Sequence, residues 1–215
     1  MPSLTSWTAA WGALVPDANP RAVARAGTDL LTRYAEPHRR YHTAVHVDEM
    51  VAALDRLVGE PTDRALGALV AWFHDAVYDP MRGDNEAASA QIAREVSAAL
   101  GLAAAYGQRV VDLVLATADH ALPQGNPLTA AVHDADLWIF AASAARFDEY
   151  CAQVRAEFAH VPGEAYAAGR ATILAPLASR PRLYASDLAH RAWTGAARAN
   201  LARELARLRG ARVGG

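Results

Sequence analysis

His42 and His46 are four residues apart, so on a helix they share one face. A third histidine, His74, is followed directly by Asp75 and preceded by the apolar run Val70-Ala71-Trp72-Phe73. An ionisable pair beside such a run is costly unless something compensates it; a neutral histidine bonded to a carboxylate at a helix end is the plainer account. Asp134 and Asp136 form a further element, leading into Leu137-Trp138-Ile139-Phe140. Asp134 reads as the N-cap of that helix, where acids are favoured. Asp136 immediately precedes the apolar run, and a charge facing into a bundle calls for a cation.

Together His46, His74, Asp75 and Asp136 offer two imidazoles and two carboxylates from three helices, and a bundle core is a place where such ligands can converge. Mixed nitrogen and oxygen donors suit Mn, Fe, Co, Ni or Zn, and carboxylates also accept Mg. Four protein ligands on a six-coordinate ion would leave two positions for water and substrate. Such an ion can lower the pKa of water and polarise a phosphoryl oxygen. Arg39 and Arg40 adjoin His42 and could clamp a phosphate in bidentate fashion, or form a solvated pair at a helix start. Glu86 could orient the attacking water or serve the dipole of its own helix. His120 follows the apolar helix Val110–Leu115 and could contact phosphate or hold a second ion. His133, His160 and His190 read as structural or surface residues.

The elements that must hold these groups show helical periodicity throughout. No alternating run is long enough for a strand. Asn19-Pro20 is a helix start, and Pro37 ends that helix. A second helix is predicted over 43–58, closed by Gly59. Pro61 opens a helix that is apolar nearly all round, central to the bundle, and predicted to run to about Asp79, before Pro80. Another, capped by Asp84 or Asn85, runs to Leu100 and stops at Gly101. Further helices are predicted over 106–120, 134–142, 144–159, 164–179 and 182–209. Trp7 and Trp11, four apart beside Leu4 and Leu14, read as an amphipathic helix packed on the bundle. With no repeat, linker or composition break, residues 1–215 are expected to form one all-α domain, the helices beyond 164 packing on its core.

The ordered residues also resemble a family. Tyr41-His42-Thr43-Ala44-Val45-His46, Phe73-His74-Asp75-Ala76-Val77-Tyr78 and Asp136 are similar to the H…HD…D signature of the HD superfamily of metal-dependent phosphohydrolases. Arg40, Asp84–Ala90, Thr117–His120, Asp134–Leu137, Gly169-Arg170 and Ala197–Leu201 extend the resemblance, over nearly the full chain, to a bacterial group of predicted HD phosphohydrolases. The resemblance implies a helical bundle with a divalent metal at its centre, a second ion being left open, and hydrolysis of a phosphate ester or nucleotide. Cyclic-nucleotide phosphodiesterases, similar in their site, use a Tyr-His-Asn-x-x-His segment whose first histidine is a general acid and whose second is a metal ligand. That spacing implies His42 as proton donor to the leaving oxygen and His46 as ligand, although Thr43 stands where that segment has Asn.

Composition narrows the alternatives. The 21 positive side chains are all arginine, which excludes a P-loop, a Schiff-base lysine and a kinase strand lysine. The G-x-S-x-G, G-x-G-x-x-G, H-E-x-x-H and C-x-x-C patterns are absent. A net charge of −2 gives no bulk attraction for polyanions. The arginine-rich end of the last helix carries no interleaved aromatics, so nucleic acid is not expected as a partner. No stretch approaches the length of a membrane span and no secretory signal is seen, which with a single cysteine, Cys151, points to a reducing cytoplasm. The expected partner is a small phosphorylated, nucleotide-like substrate. Two other readings compete: a di-iron HD-type oxygenase, for which His120 and His133 could supply ligands, and a non-catalytic module that binds a nucleotide or other ligand without turnover.

Overall fold

In the computed structural model, which describes residues 3–119, 121–123 and 125–211, the chain is helical and no strand occurs among the described residues. The elements are α1 (Thr5–Leu14), α2 (Pro20–Tyr34), α3 (Ala44–Leu57), α4 (Pro61–Phe73), α5 (Asn85–Ala99), α6 (Ala104–Leu115), α7 (Pro127–Asp136), a 3-10 turn (Leu137–Ala141), α8 (Ala144–Glu157), α9 (Gly163–Ser179) and α10 (Asp187–Ala211). None of these helices is long and apolar enough to cross a membrane.

The apolar α4 is central, as its composition predicts. Every residue from Ala65 to Phe73 is buried, and α1, α3, α5, α6 and α7 all pack against it. Trp7 and Trp11 of α1 are core residues, and Trp7 sits 5.5 Å from the rings of both Trp72 and Phe73. The Trp7 indole donates to the Val23 carbonyl at 2.7 Å, which joins α1 to α2. At Gly27 of α2 a Cβ would lie 2.7 Å from atoms of Leu4 and Trp7, so the close approach of α1 and α2 requires glycine.

Helix α6 ends at Leu115, short of the predicted 120, and two further differences from expectation matter to the site. Helix α4 ends at Phe73 instead of near Asp79. Arg39 takes the carbonyls of Asp75 and Ala76, at 2.7 and 3.2 Å, that a continuing helix would have used. Beyond them Ser89 accepts the Val77 N–H, and Asn85 accepts the Asp79 N–H. The segment Asp75–Asp79 thereby leaves the helix and is held against α5.

The second difference is at Asp134 and Asp136, which close α7 instead of opening a helix. Asn126 is the N-cap, accepting from Leu128 and Thr129, with Pro127 at the first helical position. Asp134 therefore does not cap its own helix. Its fully buried carboxylate accepts the N–H groups of Ala185 and Ser186, at 2.6 and 2.7 Å, and so anchors the lead-in to α10. The last helix starts at Asp187, later than predicted, because residues 183–186 form bends that bring the Ala185 and Ser186 N–H groups to Asp134.

Candidate metal centre

Three elements bring the central groups together. His46 stands in the first turn of α3, whose N-cap Thr43 accepts the Val45 N–H. His74 is the C-cap of α4, and Asp136 is the last residue of α7. All three are buried, and one donor atom from each lies within 4.8 Å of the others, close enough to hold a metal ion. His46 Nε2 is 3.2 Å from His74 Nε2 and 3.2 Å from Asp136 Oδ1. Asp75 is the neighbour of this set: its Oδ2 is 3.0 Å from His74 Nε2 and 3.9 Å from His46 Nε2.

The outer hydrogen bonds fix which nitrogen faces the centre. His74 Nδ1 is 2.9 Å from the Ala71 carbonyl, which can only accept, so Nδ1 carries a proton and Nε2 points inward. His46 Nδ1 meets the Tyr41 hydroxyl at 3.0 Å, again leaving Nε2 for the centre. Two imidazole Nε2 atoms and a carboxylate oxygen therefore converge, with a second carboxylate beside them. This donor set fits a divalent ion of the borderline or first-row class.

Burial lowers the pKa of His74, but the charge of Asp75, its hydrogen bond and Asp136 outweigh burial and raise it to about 9. Burial raises the Asp75 carboxyl, and His74 more than reverses this, holding it well below the ordinary carboxylate range. A cation brought to His74 Nε2 must displace its proton, so affinity would weaken as pH falls.

The centre opens into a cleft of about 440 Å³. His42, Glu86 and Asp119 line it together with His46, His74, Asp75 and Asp136. His42 is held by a residue the sequence reading did not single out. Glu157, the last residue of α8, accepts from His42 Nδ1 at 2.7 Å and from the Tyr78 hydroxyl at 3.0 Å on one oxygen. Its other oxygen accepts the N–H groups of Arg40, Tyr41 and His42 at 2.7, 2.8 and 3.0 Å. The His42 ring also stacks on Tyr78, with centroids 3.9 Å apart. Burial pushes the Glu157 carboxyl up, but His42 and the backbone donors prevail and hold it at about 2. The signal was present in the sequence: Phe147, Tyr150, Cys151, Val154 and Glu157 share one stripe of α8, and an acid closes an otherwise apolar face.

The arginines beside His42 do not reach the cleft. Arg39 is buried, and its guanidinium donates to Glu36 Oε2 and to the carbonyls of His42, Asp75 and Ala76. These bonds tie the α2–α3 loop to the turn after α4, and Arg39 is not among the residues that line the cleft. Arg40 is exposed, its guanidinium is bonded to the carbonyls of Pro37 and Arg39, and it too lies outside the cleft lining. The arginine that does line the cleft is Arg170 of α9. His133 is turned to Asp134, at 2.9 Å, and is not one of the three converging residues. His120 lies outside the described residues. Comparison with family models, curated protein sequences and solved structures gives no match for this chain.

Proposed function

We propose that this chain is a metal-dependent phosphohydrolase of HD type that cleaves a small phosphate ester or nucleotide with water. One observation carries the reading: two buried imidazoles and a carboxylate from three separate helices converge, with Asp75 beside them, in the order in which the sequence resembles that superfamily. His46, His74 and Asp136 would hold the metal, with Asp75 at His74. When bound, such an ion lowers the pKa of water and polarises a phosphoryl oxygen.

The chain's own residues supply the remainder. His42 stands at the cleft with Nδ1 committed to Glu157, which leaves Nε2 as the atom that can give a proton to the leaving oxygen. Glu157 positions that ring and cannot itself reach substrate, since its side chain is fully buried and all five of its bonds are internal. Glu86, at the first turn of α5 on the cleft wall, would orient the attacking water. The single cysteine, buried in α8, accords with a reducing cytoplasmic setting.

The test is elemental analysis of the wild-type chain and of His74→Ala, together with hydrolysis of a panel of substrates, read as phosphate release from phosphomonoesters and as alcohol release from phosphodiesters. About one transition metal or Mg per wild-type chain, lost with turnover in the variant, is the expected result. Two irons per chain with oxygen consumption would replace this reading with the oxygenase. Full metal with no release across the panel would leave a binding module. A wild-type chain that retains none of the added metals would overturn the proposal.

A further inference from the structure

Cations are scarce around the candidate centre. The chain has no lysine, and among the described residues lining the cleft Arg170 is the sole arginine, in a lining that also holds the carboxylates of Asp75, Glu86, Asp119 and Asp136. A divalent ion at the centre would bring two positive charges, which Asp75 and Asp136 alone would neutralise. A phosphate dianion entering such a cleft needs a further positive charge.

Arg170 is built for that task. It is only partly exposed, its guanidinium donates to the Tyr150 hydroxyl, and its Cζ lies 5.3 Å from the centre of the Tyr150 ring. Arginines on α8 and α10 have acidic partners: Arg146 pairs with Glu49, Arg203 with Asp148, and Arg207 with Asp148 and Glu204. Among the described residues no carboxylate pairs with Arg170. A guanidinium withdrawn from water without an acidic partner keeps its remaining N–H donors for an anion brought to it.

The anchor is connected to the candidate metal centre. Tyr150 packs on Tyr41 with ring centroids 4.6 Å apart, and the Tyr41 hydroxyl bonds His46 Nδ1. The wall beside Arg170 is apolar: Phe140, Val154, Phe158, Ile173 and Leu177 line it, and Ile173 is 54% exposed. The cleft volume matches a small molecule, not a polymer.

Resting on the phosphohydrolase reading, we infer that Arg170, held by Tyr150, is the substrate-anion-binding residue of the cleft, and that the substrate is a small organic phosphate whose non-phosphate body is apolar or aromatic and lies on the α8–α9 wall.

The test uses phenylphosphonate and methylphosphonate, which bind as phosphate esters do but are not hydrolysed, titrated into metal-loaded full-length protein by calorimetry. The Arg170→Ala variant should bind phenylphosphonate about 10- to 100-fold more weakly at unchanged metal content, and Arg170→Lys should fall between, since it keeps the charge without the planar fork. Wild-type protein should prefer phenylphosphonate to methylphosphonate by about tenfold or more, from the ring buried on the apolar wall. Equal phenylphosphonate affinity in wild type and both Arg170 variants, with metal bound, would overturn the role of Arg170 while leaving the phosphohydrolase reading in place. No phenylphosphonate binding by metal-loaded wild type would overturn the anion site and the substrate class together, and equal affinity for the two phosphonates would overturn the apolar body. In metal-stripped protein the residual phenylphosphonate binding should vanish in Arg170→Ala, and a difference there supports the site whatever the metal assay returns.

Discussion

Glutamate 157 offers the sharpest test of how the cleft is held together. Its carboxylate accepts five hydrogen bonds, three from consecutive backbone N–H groups and one each from His42 and Tyr78. Glu157→Gln keeps the shape but removes the charge and replaces one acceptor with an N–H₂ group that meets donors. The native carboxyl sits at about 2 against an ordinary 4.5, and that difference corresponds to about 3 kcal/mol of stability at neutral pH. Glutamine retains part of the network, so the expected loss is about 2 to 3 kcal/mol, or about 1 M in urea midpoint for a chain of this size. The sign follows from linkage. A carboxyl depressed in the folded state contributes fully above its unfolded value of 4.5, and the contribution disappears as pH falls toward 2. Urea denaturation of both proteins from pH 7 to pH 3 should show a deficit for Glu157→Gln that is largest at pH 7 and narrows below about pH 4.5. A deficit that stays constant over this range, or none at pH 7, would refute the argument that a buried charge holds the segment Arg40–His42. Turnover gives a second readout: loss of the His42 orientation should lower kcat by about 10²-fold or more, with metal content unchanged.

Two further outcomes follow from the packing. Tyr41→Phe deletes the hydroxyl that meets His46 Nδ1 and leaves the ring in place, so metal affinity should drop about 10- to 100-fold in a competition titration with a chelator, with little change in urea midpoint. Unchanged affinity would show that Tyr41 does not orient the ligand. Gly27→Ala places a Cβ 2.7 Å from Leu4 and Trp7 and should cost about 1 to 3 kcal/mol in urea denaturation, whereas the same change at Gly12, where nothing lies within 4 Å, should leave stability equal or better.

The all-helical class, most helix starts and the central place of α4 were legible in the sequence, since apolar spacing, Asn-Pro starts and glycine stops act over a few residues. So were His46, His74 and Asp136, because ionisable groups beside apolar runs need compensation wherever they fold. The Asn126-Pro127 start repeats the Asn19-Pro20 signal, and reading it would have placed Asp134 and Asp136 at the end of their helix. What the sequence could not decide was which partner each charged side chain would meet. Arg39 and Arg170 are the same residue type, and each is near a glycine, histidine or aromatic in the chain. Only the fold turns Arg39 inward onto four oxygens and leaves Arg170 at the cleft with a tyrosine. Glu157 joins Arg40–His42 across more than a hundred residues, and no local pattern encodes a distance of that kind. Helix periodicity is set by neighbours along the chain; the pairing of buried charges is set by where helices cross, and that is decided when α4, α7, α8 and α9 pack around one core.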